Sequence, residues 1–245
     1  MNHTSLSAEP RGITASLNPV VDIAAVATVS LIVLLLEDWA RAQGLLGIGE
    51  DMRAVTAVIA GASTAVGINY ARGGRLSDLG FKKPSRWSHV PLQVFGIIAA
   101  FFAVQGLAAL VVAPYFDLPT PDLSKYEGIA GNLGAAAVMF LLLPLTASIP
   151  EEIIYRGFLI GRLEAIFDQS FSGVCATLGI QALIFGAIHF QWGVGGMIVT
   201  TMMGLVWGTA YILCDRNLWV VILAHSVGHL FLVTQLYLAD TIVIW

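Results

Sequence analysis

Charge is what this sequence has least of. Aspartate, glutamate, lysine and arginine make up 11% of the 245 residues, against about 25% in a soluble domain, which excludes an ordinary water-solvated surface. There is no run of basic residues, and the formal net charge of -4 is spread thinly, so nothing marks a nucleic-acid partner. Only two cysteines occur, Cys175 and Cys214, both in apolar runs and without a CxxC pair. They read as buried small hydrophobes rather than as a disulfide or metal framework. Internal repeats, low-complexity tracts and a soluble domain are absent. The first apolar run ends in "EDW" without a small-residue cleavage site, so the first helix is expected to stay in the mature protein.

What the sequence has is hydrocarbon: 57% of its residues are hydrophobic and the mean hydropathy is +0.82. Stretches of roughly 17 to 25 mostly apolar residues recur, each long enough to cross a hydrocarbon core of about 30 Å as a helix. The expected fold is all-α, a polytopic transmembrane helix bundle in a multi-pass integral membrane protein, with residues 1–245 as one domain. Spans fall near Val20 to Leu36, Ala54 to Ala71, Val90 to Ala113, Leu133 onward, Ser172 to Phe190, Val194 to Leu213, and Leu218 to Leu238. The fourth reads equally as two helices broken at Pro144 or Pro150, hence seven to eight spans. The tail "DTIVIW" is too short for another. Loop cations number nine on the N-terminal side, leaving Arg41, Arg53 and Lys125 for the other, which puts the N-terminus in the cytoplasm. Gly204 and Gly208 form GxxxG, and Gly61 and Ala65 a similar pair, as packed membrane helices commonly do.

Ionisable side chains in hydrocarbon are costly and normally face a bundle interior or cavity at a functional site. Here they are Glu151, Glu152, Arg156, His189, His225 and His229, with Asp22 as an outlier near the start of the first span. On a helix Glu152 and Arg156 share a face, while Glu151 is rotated about 100° away. Glu152 is therefore the natural partner of Arg156, and Glu151 is left to act as general base or metal ligand. A plainer reading also fits: "SIPE", Ser148 to Glu151, has the form of a capping box with proline in the first turn, which would mark a helix start at the interface.

Three of the five histidines fall in late spans, His189 four residues after Phe185 and His225 four before His229. A lone buried histidine is usually a hydrogen-bonded core residue, but imidazoles spaced four apart can share a metal or a proton. At ~1.5 Å per residue, Glu151 and His189 each lie about 25 Å from the turn between their helices, and so can meet. His225, about 13 Å beyond Arg216, falls roughly two turns low on the same scale.

Three ordered motifs carry a resemblance: EExxxRG in "EEIIYRG", FxxxH in "FGAIH", and a final HxxxN-type motif introduced by "RNLWVVILAH". Together they resemble the CAAX prenyl protease and bacteriocin-processing (CPBP, Abi) family of intramembrane proteases, over a motif core of about residues 135–235. "LSDLGFKKP" looks like the family's basic loop. Residue by residue, the resemblance implies Glu151 as catalytic carboxylate, Glu152 and Arg156 as its supporting pair, and His189 and His225 as catalytic histidines. His229 is the departure, standing where the family usually has Asn or Asp; an imidazole there could still donate to an oxyanion.

The function expected is an intramembrane endopeptidase of a bacterial or archaeal cell membrane. It would hydrolyse a peptide bond of a lipidated or membrane-anchored protein or peptide, with the lipid bilayer as its other partner. A Glu151-activated water needs no cofactor and is the favoured chemistry; the alternative is zinc held by Glu151, His189 and His225 with water in the fourth position. Two other classes fit the sequence less well. The intact ionisable set argues against a non-proteolytic immunity or scaffold protein, and the lack of a repeat or paired half-helices argues against a small transporter.

Overall fold

The computed structural model describes residues 18–45, 52–111 and 124–238. The first seventeen residues, the end of the expected third span at Ala113 and the tail "DTIVIW" lie outside the described residues. Those described are helical with no strand, as the apolar runs predict. Seven helices follow one another: α1 (Pro19–Ala42), α2 (Met52–Ala71), α3 (Val90–Val111), α4 (Leu133–Phe167), α5 (Phe171–Ala187), α6 (Gly193–Leu213) and α7 (Leu218–Leu238). All but α5 are long and apolar enough to cross a membrane.

The outward faces are apolar, with Leu92, Leu110 and Leu141 more than two-thirds exposed. That arrangement suits a solvent of lipid tails and would be untenable in water. Cys175 lies on such an outer face, which corrects its reading as a buried residue, while Cys214 is half-buried. Inside, small residues bring backbones together. A Cβ on Gly204 of α6 would stand 2.9 Å from the Cα of Ala182 on α5, so only glycine permits this approach. At one end of the bundle, Asp22 accepts from both Arg72 and Arg162, the latter at 2.8 Å, tying α1 to the end of α2 and to α4. The outlying aspartate is thus a buried clamp.

Two departures from the expected helices shape the interior. Helix α4 does not break at either proline and does not start at Ser148. It is continuous, with two wide π-type stretches, Pro144–Ser148 and Ile153–Ile160, on either side of the glutamate pair. Proline removes one backbone donor and crowds the carbonyl four residues back; opening the turn relieves the crowding, and Ile149 N–H bonds Pro144 O five residues away. Ser148 has helical φ and ψ and caps nothing, so the capping box is not formed. Helix α5, at 17 residues, is about 25 Å long, short of a ~30 Å hydrocarbon core. It ends at Ala187, so His189 is not on the helix but in the turn before a short 3₁₀ segment, Phe190–Trp192. Irregular backbone at membrane depth is tolerated where it is buried in protein or lines a cavity.

Candidate active site

A cavity of about 650 Å³ opens between these helices. Its walls are largely apolar, with Val55 and Val58 from α2 and Val138 and Leu142 from α4 among them. Its acid and imidazole lining residues are Glu151, His189, His225 and His229. Four of the six residues singled out from the sequence therefore reach one space. The other two, Glu152 and Arg156, are fully buried behind it.

The pair behind the cavity has the partnership expected from its spacing, with Arg156 Nη1 donating to Glu152 Oε1 at 2.8 Å. The same oxygen also lies 2.8 Å from His225 Nδ1. A carboxylate only accepts, so His225 donates through Nδ1 and its Nε2 keeps a lone pair. That Nε2 stands 3.8 Å from Glu151 Oε2, outside direct hydrogen-bond range. His225 is thus level with the glutamates rather than two turns low. Eight of the residues between Glu152 and the end of α4 lie in the second wide stretch. Its turns hold more residues for the same climb, which removes about 3 Å of the roughly two-turn difference counted at ~1.5 Å per residue.

His189 Nδ1 lies 2.7 Å from Phe185 O, and since a carbonyl only accepts, this imidazole too carries its proton on Nδ1. His229 packs its ring against His225, with centroids 4.5 Å apart and planes at 37°, and its Nδ1 lies 3.0 Å from Ser148 Oγ. Behind the histidines stands Phe185, 1% exposed. Its ring is 4.9 Å from that of His189 and 6.4 Å from that of His225. The guanidinium carbon of Arg156 lies 4.6 Å from its centre, within cation–π range.

The sequence missed three neighbours of this constellation. Ser148 was read as a helix cap, and Phe185 only as a motif spacer. Trp207, fully buried 6.2 Å from His225, sits inside the GxxxG pair, where a large side chain among small ones was the available signal.

Glu151, His189 and His225 supply the donor types of a zinc site. Among the described residues, however, no three His, Cys, Asp or Glu side chains are grouped so as to hold a metal ion. Nδ1 of each of these two histidines is engaged with protein, an arrangement that orients an Nε2 lone pair equally for a metal or for water.

Residues 133–231 match the family model described as Type II CAAX prenyl endopeptidase Rce1-like. A curated relative, "Putative membrane peptidase YdiL" of Bacillus subtilis (strain 168), is 26% identical over 147 residues, covering 59% of this chain and 57% of the relative. The chain thus aligns with a little over half the length of that relative. No solved structure matches. The matched segment holds all three motifs and, among the described residues, every acid and imidazole group lining the cavity, and over that segment the chain is similar to the Rce1-like CAAX endopeptidases.

Proposed function

We propose that this protein is an intramembrane endopeptidase in which Glu151 activates the attacking water. The observation that carries the reading is the placement of Glu151. Among the described residues it is the one carboxylate lining the cavity, while its neighbour Glu152 is committed to Arg156 and His225. The match to the Rce1-like family model over residues 133–231 supports a membrane-associated substrate. The apolar walls suit a lipidated or membrane-anchored peptide whose scissile bond reaches the polar end of the cavity.

In this reading Glu151 takes a proton from water as the oxygen adds to the scissile carbonyl carbon, giving a tetrahedral oxyanion. The proton is then delivered to the leaving amide nitrogen as the C–N bond breaks. His189 and His225 each present an Nε2 lone pair, suited to orienting the water or relaying that proton. A donor to the oxyanion is also required, and we assign that role to His229, which lines the cavity beside His225. We further read the whole chain as one protease unit with its N-terminus on the cytoplasmic side, from the bias of loop lysine and arginine.

The test is Glu151→Gln in protein reconstituted into liposomes, assayed on quenched fluorogenic peptides carrying either a prenyl group or a transmembrane anchor. Cleavage should be abolished while insertion, yield and thermal midpoint stay at wild-type values. A fully active Glu151→Gln would overturn the assignment.

A further inference from the structure

Ser148 is fully buried and behaves unlike the other helix hydroxyls around it. Thr146 donates to Leu142 O at 3.0 Å, Ser226 to Ile222 O at 2.8 Å and Thr234 to Leu230 O at 2.7 Å. This is the ordinary habit of a serine or threonine inside a helix. The carbonyl four residues before Ser148 belongs to Pro144 and already receives Ile149 N–H across the wide turn. Ser148 Oγ instead reaches from α4 to α7 and meets His229 Nδ1 at 3.0 Å.

That contact decides where the His229 proton sits. A buried hydroxyl hydrogen needs an acceptor, and a neutral imidazole offers one nitrogen lone pair. With Nδ1 as acceptor, Ser148 O–H is satisfied and the imidazole proton is on Nε2. With the proton on Nδ1, the hydroxyl hydrogen would face no acceptor among the contacts of Ser148. We propose that Ser148 is a positioning residue: by donating to Nδ1 it holds His229 in the Nε2–H form, as a hydrogen-bond donor to the cavity. The adjacent His225 is set the opposite way by Glu152, with its proton on Nδ1 and a lone pair on Nε2. Two stacked imidazoles thus give the site one acceptor and one donor, and each partner comes from α4. This rests on the proteolytic reading for its purpose, since a donor at this place serves a developing oxyanion. The proton placement itself does not depend on that reading.

The experiment pairs nitrogen NMR with kinetics. In protein labelled with ¹⁵N-histidine in lipid nanodiscs, the His229 resonances, assigned by their loss in His229→Asn, should report an Nε2–H imidazole. Ser148→Ala, which deletes one oxygen atom, should move them towards the Nδ1–H form, and Ser148→Thr should restore them. On a cleavable peptide, Ser148→Ala should lower kcat with little change in KM. The loss should not exceed the roughly 10²-fold that removing an oxyanion donor costs, the loss expected of His229→Ala. His229→Asn supplies an N–H that needs no tautomer, so adding Ser148→Ala to it should cost little more; if Ser148→Ala folds poorly, the wild-type signature at His229 still decides. An Nδ1–H signature in wild type, or an unchanged signature in Ser148→Ala, overturns the proposal. Active Glu151→Gln with an Nε2–H signature at His229 would instead overturn the proteolytic mechanism and leave the Ser148 assignment standing.

Discussion

The guanidinium of Arg156 lies over the face of Phe185, 4.6 Å from carbon to ring centre. One aromatic ring therefore backs a buried cation and both His189 and His225. Phe185→Ala should cost about 3–5 kcal/mol, as for other buried phenylalanines. Phe185→Leu, which keeps most of the volume and loses the ring face, should cost less in stability and still impair cleavage. Thermal midpoints in detergent with parallel peptide assays would check this. Full activity in Phe185→Leu would reduce the ring to a space filler.

Glu152 and Arg156 give a second prediction. Glu152→Ala strands a fully buried guanidinium and should destabilise the protein by about 3–5 kcal/mol. Glu152→Gln keeps an oxygen for Arg156 while weakening the hold on His225, so its loss should be divided between stability and kcat. The comparison with Glu151→Gln is the discriminating one. If Glu151→Gln lowers the thermal midpoint as much as Glu152→Ala, the division between a cavity carboxylate and a structural one is wrong.

Metal dependence is separable by a third experiment. With Glu151 acting directly on water, protein treated with a strong chelator and freed of it should keep its activity, and elemental analysis should find no stoichiometric zinc. Activity lost on chelation and restored by one equivalent of zinc would assign Glu151, His189 and His225 to a metal instead.

The sequence disclosed much of this site because hydrocarbon makes exceptions conspicuous. In a chain so poor in charge, Glu151, Glu152, Arg156 and the late histidines stood out, and the four-residue spacing of Glu152 and Arg156 sufficed to pair them. Helix number was legible for the same reason, since apolar length is a strong signal. Backbone irregularity was not. The sequence pattern allowed either a break or a helix start at Pro144, Ser148 and Pro150, whereas the chain continued by widening its turns. That choice depends on what the neighbouring helices offer the freed groups, which no local pattern records. The error in the role of Ser148 came from it.

Those wide turns also make the length of α4 a functional quantity. A π-type turn closes over one more residue than an α-turn, so each stretch stores the equivalent of a small insertion beside the glutamate pair. Tightening 153–160 into regular α form at unchanged length would turn everything beyond it by about 100° relative to Glu151 and Glu152. Gly157, now close against the backbone of Leu79, and Arg162, bonded to Asp22, would then face elsewhere. This segment should consequently bear the loss of one residue, which the wide turn can absorb, more readily than the gain of one, an asymmetry visible in a population of variants long before any one of them is purified.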